Sequence, residues 1–268
     1  CSIAVDGAGR LLPHALEQEL DRLERAGQPV IAVVATAGTT VRGAVDPLEA
    51  IAALCARREL WLHVDGAIGA VFGLVPAHRF RVAGLERADS ITINPQKVLG
   101  ITKTSSLLLL AQPQALAQAF QTGLPYMEPS WGGGHGGETG LQGTRPAEVL
   151  KLWLGLRQLG LSGIAAVLDG AIARRRQLQA LLGASERLQL RCGSFHLLAF
   201  TPRQLDVEAA AHWSQQTRQL LLQHQLMLSR PQYGGRHHLK AVLGNPHTRS
   251  EHLETLAGLV QASLEGLP

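Results

Sequence analysis

Side chains that could supply an amine or a phenol are scarce in this chain of 268 residues, which has four lysines and two tyrosines. Lys97 is the lysine whose surroundings suggest chemistry. It ends the segment Asn94-Pro95-Gln96-Lys97, directly after a predicted strand, and apolar Val98 and Leu99 follow it. Desolvation lowers the pKa of an amine, which a lysine needs to form a Schiff base. A lysine taken alone is more often a plain surface residue, so both interpretations stay open on this motif.

Two further polar segments follow predicted strands. His63-Val64-Asp65 ends one strand and precedes small residues, and Ala37-Gly38-Thr39-Thr40 follows another. Ligands bind at the carboxyl ends of strands in open α/β sheets, so these segments are candidates for a common site. Asp65 could serve as a base, a metal ligand, a partner of a protonated ring nitrogen or only a cap. No third ligand stands at a suitable spacing from His63 and Asp65, so we expect no metal site.

The elements that must position these residues alternate between helix and strand. Hydrophobic periodicity predicts a helix over 13–26, and Asp46-Pro47 predicts a second helix that Asp46 caps. Four short apolar or β-branched runs predict strands at 30–35, 60–64, 90–93 and 105–110. This order predicts a layered α/β domain with a buried sheet. Beyond about residue 185 the pattern changes to strand, strand, helix, strand, helix. We therefore predict a large domain over residues 1–170 and a smaller C-terminal α/β domain over 171–268.

Composition narrows the partners and the compartment. A net charge of +4 and a pI near 9.3 could suggest nucleic acid. However, the tight basic run is Arg174-Arg175-Arg176, which in a predicted helix is more often a solvated face, so we expect no nucleic-acid partner. No apolar run reaches the roughly 20 residues of a membrane span, so no membrane partner is expected. Three distant cysteines argue against a disulfide framework, which favours a reducing, cytoplasmic location.

The sequence motifs of several other enzyme classes are missing from this chain. The chain has no Gly-x-Ser-x-Gly elbow, Walker loop, or His-Glu-x-x-His motif. A glycine cluster over 131–137 follows no predicted strand, which disfavours dinucleotide binding. Because it lies in a long predicted loop, 121–144, a functional role for that loop is expected.

Taken together, the motifs resemble those of the group II pyridoxal-phosphate-dependent amino-acid decarboxylases. The order and spacing of the motifs match the family through about residue 160, and the rest of the chain matches more loosely. The segments that carry the resemblance are Ala35–Thr40, Gly43–Pro47, Trp61–Ala67, Ala88–Ser90, Asn94–Lys97, Leu141–Arg145 and Lys151–Trp153.

The resemblance implies a fold-type-I transferase-like large domain and pyridoxal 5'-phosphate as cofactor. Lys97 would form the Schiff base with the cofactor aldehyde. Asp65 would keep the pyridine nitrogen protonated, which makes the ring an electron sink. Ala67 would pack against one face of the ring, and Thr40 would lie near its edge.

The resemblance also assigns three further residues. Asn94 and Gln96 would lie near the cofactor, with Gln96 close to its phosphate. Tyr126, in the long loop, would return a proton to the carbon that loses its carboxylate; a packing role in a proline-rich turn is the alternative. The family usually carries histidine where Gln96 stands, and glutamine can donate a hydrogen bond but cannot carry charge.

The implied reaction converts an L-amino acid to an amine and CO₂. The segment 136–145 looks nearer to the glutamate and cysteine-sulfinate branch than to the aromatic one. The resemblance also implies a homodimer. Another fold-type-I enzyme, an aminotransferase or a different lyase, is one alternative. A non-catalytic remnant is the other, because full-length family members are nearly twice as long and we expect this chain to be truncated at its N-terminus.

Overall fold

The computed structural model describes residues 1–101, 105–120, 139–142 and 146–265. Its first sheet has the order β1-β2-β3-β4, in which the first three strands are parallel and β4 is antiparallel to β3. The strands are β1 (Ala32–Thr36), β2 (Trp61–Asp65), β3 (Ser90–Ile93) and β4 (Leu107–Leu110). The helices α1 (Pro13–Arg25), α2 (Leu48–Arg57) and α3 (Gln114–Phe120) accompany them.

The parallel strands form because alternate side chains are apolar and have helices to pack against. Val33 and Ala35 in β1 and Leu62 and Val64 in β2 are buried, and their intervening neighbours are more exposed. Short 3-10 helices connect β2 to β3, at Ala70–Leu74, Pro76–Val82 and Leu85–Arg87. This matches the α/β arrangement expected from the sequence.

Asp46 does not cap α2, contrary to the prediction. Pro47 occupies the N-cap position, and no side chain caps the helix there. The Asp46 carboxylate instead accepts hydrogen bonds from the backbone N–H groups of Leu11 and Thr36, both at 2.7 Å. It therefore ties the N-terminal segment to the end of β1, a role that depends on tertiary contacts.

Helix α4 (Val149–Gly183) is long and interrupted, since Gly160 has non-helical backbone angles (φ 58°) inside it. By length and composition α4 could cross a membrane, a test that core helices also pass. In this fold the second half of α4 contacts two strands of the C-terminal part of the chain and contributes side chains to two clusters of buried apolar residues. The prediction of a solvated basic face is wrong for two of the three arginines: Arg175 is buried, Arg174 is partly buried, and both bind backbone carbonyls.

The C-terminal part forms a second, antiparallel sheet of three strands. In their order across the sheet, its strands are β5 (Leu188–Cys192), β6 (Leu197–Pro202) and β9 (Leu239–Val242), and a small hairpin pairs β7 (Gln232–Tyr233) with β8 (Arg236–His237). Helices α5 (Val207–Gln223) and α6 (Ser250–Glu265) cover this sheet. Asp206 caps α5 through a 2.7 Å bond from Ala209 N–H.

Two clusters of buried apolar side chains lie around the two sheets, and α4 contributes to both. The first cluster includes α4 residues up to Ile172, and the second begins at Leu178. Phe195 and Leu197, from the end of the β5–β6 hairpin, belong to the first cluster. The second sheet thus sends side chains into the core of the first. The division of the chain at residue 170 stays a prediction.

Candidate active site

The strand register brings the predicted site segments to one edge of the first sheet. Thr36 pairs with Asp65 across β1 and β2, and Asp65 pairs with Thr92 across β2 and β3. Because these strands are parallel, the turns after them leave the sheet on the same side. Thr40, Asp65 and Lys97 are all solvent-exposed there. This edge of the sheet therefore carries an exposed carboxylate and an exposed amine.

Asp65 and Ala67 lie in a tight turn at the end of β2. One Asp65 oxygen accepts a 3.1 Å hydrogen bond from Ala67 N–H, its only hydrogen bond within the described part of the chain. The turn is close-packed, because a Cβ added to Gly66 would lie 2.5 Å from Ala70 Cβ and 3.0 Å from Thr92 O. The carboxylate is consequently fixed at its base and open at its outer oxygen.

The segment after β3 forms a 3-10 helix, Pro95–Lys97. Lys97 N–H donates to Asn94 O at 3.0 Å, and Ser106 Oγ donates to Asn94 Oδ1 at 3.1 Å. Pro95 is buried, which anchors the segment beneath the exposed Lys97. Gln96 Oε1 is a buried acceptor that has no hydrogen-bond partner among the described residues. The site thus contains an unused polar atom beside its lysine.

His63 does not join Asp65 in a metal pair. Its Nδ1 lies 2.8 Å from Ser90 Oγ and its Nε2 lies 3.2 Å from Thr92 Oγ1, so both ring nitrogens bond to hydroxyls on β3. Trp61 Nε1 also donates to Ser90 Oγ at 2.8 Å. In the residues that the structure describes, no group of three or more metal-ligating side chains occurs.

Lys240 is a member of this site that the sequence motifs did not identify. It lies on β9 of the second sheet, yet its Nζ donates a 3.1 Å hydrogen bond to Thr40 O. Partial burial, and secondarily the charge of Lys97, lower the pKa of Lys240. The scarcity of lysines could have pointed to Lys240, because it is one of only four in the sequence. Its position in a C-terminal strand gave no indication that it lies near residue 97.

His196 lies near the backbone of Lys97. It is almost fully buried, and its Nδ1 has no partner among the described residues. Burial, followed by the charges of Arg174 and Lys240, lowers the pKa of His196 to about 4. Its ring is therefore neutral at neutral pH. A Cβ added to Gly244 would lie 3.5 Å from His196 Cδ2 and 3.7 Å from Lys97 O, which places His196 and the Lys97 backbone around one glycine.

Tyr126, the predicted proton donor, lies outside the described residues, as do residues 143–145 of the Leu141–Arg145 motif. The roles assigned to Lys97, Asp65, Ala67, Thr40, Asn94 and Gln96 stay predictions. The structure brings their segments to the same edge of the sheet.

Known proteins match this chain in sequence. The model of the pyridoxal-dependent decarboxylase conserved domain matches residues 1–199. The chain is 35% identical over 197 residues to cysteine sulfinic acid decarboxylase of Rattus norvegicus, covering 70% of this chain and 39% of that protein. It is 33% identical over 187 residues to the acidic amino acid decarboxylase GADL1 of Bos taurus, covering 66% of this chain and 35% of that protein.

Solved structures share the fold. The crystal structure of mouse CSAD superposes with a TM-score of 0.90 and 28% identity, covering 97% of this chain and 57% of that one. Catharanthus roseus tryptophan decarboxylase in complex with L-tryptophan gives a TM-score of 0.87 at 22% identity, covering 100% of this chain and 57% of that one. The aligned part of the chain spans 35–39% of the length of these two curated relatives. The chain belongs to the pyridoxal-dependent decarboxylase family.

Proposed function

We propose that this chain forms the lysine-bearing part of a pyridoxal-phosphate-dependent carboxy-lyase that converts an L-amino acid to its amine and CO₂. One observation carries the proposal. The exposed carboxylate of Asp65 ends β2, and the exposed amine of Lys97 follows the neighbouring parallel strand β3, so both lie at one edge of the sheet.

The residues at this edge fit the cofactor that the family uses. Gln96 Oε1 is buried without a partner in the described region, so its amide is free to reorient and offer N–H to a phosphate or ring substituent. The outer oxygen of Asp65 is open, and a carboxylate there would stabilise the protonated form of a pyridine nitrogen. Lys97 would hold the aldehyde carbon, Ala67 would contact a ring face, and Thr40 and Asn94 would line its surroundings.

Pyridoxal phosphate supplies an electron sink for the bond that breaks when CO₂ leaves. The rest of the chemistry falls to side chains of this chain. The Asp65 carboxylate would stabilise positive charge on the ring nitrogen of the bound cofactor. The Lys97 amine would provide the covalent attachment. The Tyr126 hydroxyl is the proposed proton donor to the carbon that has lost its carboxylate, which directs the outcome toward an amine.

An acidic amino acid is the substrate class we propose. The half-buried ammonium of Lys240 points from the second sheet to the Thr40 segment and lies within electrostatic range of Lys97. A cation in a partly desolvated position binds a carboxylate or sulfinate more strongly than a surface lysine does. Relatives at 33–35% identity are named for acidic substrates, which supports the same class.

We also propose a homodimer in the cytoplasm. The first half of α4 exposes large apolar side chains that a partner surface would cover. These are Val149, Leu150, Trp153, Leu154 and Leu161. The three cysteines are all free, in accord with a reducing compartment. Light scattering of the purified chain tests the dimer, which a monomeric mass at micromolar concentration would contradict.

The proposed function is tested by trapping the cofactor. The chain is incubated with pyridoxal phosphate, reduced with borohydride and digested, and mass spectrometry locates the adduct. We expect the adduct on Lys97, and its loss in Lys97→Ala. Lys151→Ala is the matched control, because Lys151 is also exposed but pairs with Glu148 on α4. An adduct distributed over surface lysines, unaffected by Lys97→Ala, would refute the assignment.

Product analysis then separates the reaction classes. Chain that carries the cofactor is given glutamate or cysteine sulfinate, and the products are identified by mass spectrometry. An amine with one equivalent of CO₂ supports a decarboxylase. A keto acid would support an aminotransferase instead, and a trapped adduct without turnover of any acidic or aromatic amino acid would support a non-catalytic protein.

A further inference from the structure

Residues 193–196 form the turn between β5 and β6, and this turn projects from the second sheet toward the buried core of the first. Phe195 has no solvent exposure, and its ring centroid lies 4.5 Å from that of Phe72, which follows β2. Its side chain therefore belongs to the core of the first sheet, although the strands on either side of it, β5 and β6, belong to the second sheet. A long-range contact of this kind fixes the position of one sheet relative to the other.

The space around Phe195 is made by glycines in the turns that carry site residues. A Cβ added to Gly69 would lie 2.5 Å from Phe195 Cζ and 2.4 Å from Ala37 O. A Cβ added to Gly38 would lie 3.1 Å from Phe195 Cε2. Side chains do not approach as closely as the distances at Gly69, and a Cβ at Gly38 would force the ring to shift. Gly38 also has a positive φ of 108°, which favours glycine. Gly38 is two residues before Thr40, and Gly69 is two residues after Ala67.

The hairpin end is itself held by several groups. A Cβ added to Gly193 would lie only 2.2 Å from Gly43 O, so the two backbones are in direct contact. Arg175, buried on α4, donates from Nε to Phe195 O at 3.1 Å. Arg81 donates from Nη1 to Ser194 O at 2.9 Å. Hydrogen bonds from guanidinium groups to carbonyls in low-dielectric surroundings are strong, so Phe195 has little freedom to move.

We propose that Phe195 is a positioning residue for the active site. Its ring packs between the turn that bears Thr40 and the turn that bears Asp65, and it fixes the distance between them. Arg175 holds the Phe195 backbone in place. The consequence for cofactor binding rests on the proposed function. The mechanical part, that the two turns depend on Phe195, does not.

An ordinary core phenylalanine would stabilise the whole fold without a preference for these turns. The matched control is Phe200, which also has no solvent exposure but contacts Trp213 in the second cluster, at 6.4 Å between ring centroids. Phe195→Leu and Phe200→Leu remove similar volume from the two cores. Phe195→Met keeps an unbranched apolar side chain that can fill the same space.

The first measurement is hydrogen–deuterium exchange by mass spectrometry, which needs no cofactor. We expect Phe195→Leu to speed exchange in peptides over 37–43 and 65–72 by about tenfold, with smaller effects in α5 and α6. Phe195→Met should restore most of the protection. Phe200→Leu should speed exchange in the second sheet and leave these turns unchanged. Equal effects of the two leucine variants on the turns would overturn the proposal.

The second measurement is the borohydride trapping of pyridoxal phosphate on Lys97, with the variants compared at equal fractions folded. We expect Phe195→Leu to need about tenfold more cofactor for half-maximal adduct, and Phe200→Leu to match the wild-type chain. Unchanged trapping in Phe195→Leu would overturn the positioning role. If the wild-type chain forms no adduct, the proposed function fails, and the exchange measurement still decides whether Phe195 holds the turns.

Discussion

The ammonium of Lys240 donates a 3.1 Å hydrogen bond to the carbonyl of Thr40, a residue 200 positions earlier in the chain. This bond joins the second sheet to a turn of the first sheet, at the edge where Lys97 stands. It also holds the Lys240 ammonium within electrostatic range of Lys97. The acid binding that we propose for this site would therefore depend on both sheets.

Replacing Lys240 tests this acid binding. We expect Lys240→Met to weaken binding of glutamate or cysteine sulfinate about tenfold or more, since a charge-assisted hydrogen bond contributes about 1.5–3 kcal/mol. Isothermal calorimetry with the cofactor-loaded chain measures the affinity. Lys240→Arg should retain most of it, and Arg203→Met, on the exposed surface, should retain all of it. Unchanged affinity in Lys240→Met would exclude Lys240 from substrate binding.

Acid should destabilise the fold through His196. Its pKa is about 4 in the folded chain, against 6.5 for the free side chain. Between these values the unfolded chain binds a proton that the folded chain does not, so stability falls as the pH drops from 6.5 toward 4. The loss approaches about 3 kcal/mol, by the linkage between pKa and unfolding free energy. Urea unfolding at a series of pH values measures it.

The variant His196→Leu isolates this contribution. Leucine cannot be protonated, so the unfolding free energy of this variant should fall less steeply between pH 6.5 and 4 than that of the wild-type chain. His247→Asn is the control, because His247 is exposed. Parallel pH profiles for His196→Leu and the wild-type chain would show that His196 is not the responsible group.

Gly69 should be intolerant of a side chain. We expect Gly69→Ala to destabilise the fold by several kcal/mol, at least about 2, because its Cβ would collide with both the Ala37 carbonyl and the Phe195 ring. Gly73→Ala is the control, since its Cβ would meet its nearest atoms at an ordinary 3.5 Å. Thermal unfolding compares the two. A melting temperature for Gly69→Ala equal to that of Gly73→Ala would contradict the close packing at the end of β2.

The buried ring of His78 depends on two partners. Its Nε2 lies 2.8 Å from Asp169 Oδ1, and its Nδ1 accepts from Arg81 Nε at 3.2 Å, which assigns the proton to Nε2. Asp169→Ala leaves that N–H without its acceptor, so we expect the free energy of unfolding in urea to fall by about 1 kcal/mol. This is the lower end of the range for a buried donor without a partner, because Asp169 itself is exposed. Asp169→Asn keeps an acceptor and should lose less. Glu17→Ala, which breaks an exposed ion pair, should change stability by under about 0.5 kcal/mol.

Local signals in the sequence accounted for much of the fold. The strand Ser90–Ile93 lies where the β-branched run predicted it, and α5 begins directly after Asp206, as its capping chemistry requires. The order of strands and turns also predicted that Thr40, Asp65 and Lys97 lie at the same edge. These features follow from short-range periodicity and from the fact that parallel strands end on the same side of a sheet.

The tertiary structure decided which polar groups serve which purpose. Asp46 has the sequence context of a helix cap but bonds to two distant backbone amides, and Arg174 has the context of a solvated face but binds the carbonyls of Leu243 and Gly244. Lys240 and Phe195 reach the site only because the second sheet packs on the first. Residues far apart in sequence meet by burial of apolar surface and by backbone hydrogen bonding, which local patterns do not encode. The motifs in the sequence therefore identify the family and single out Lys97 as the candidate lysine, whereas the packing of the two sheets sets the surroundings of that lysine.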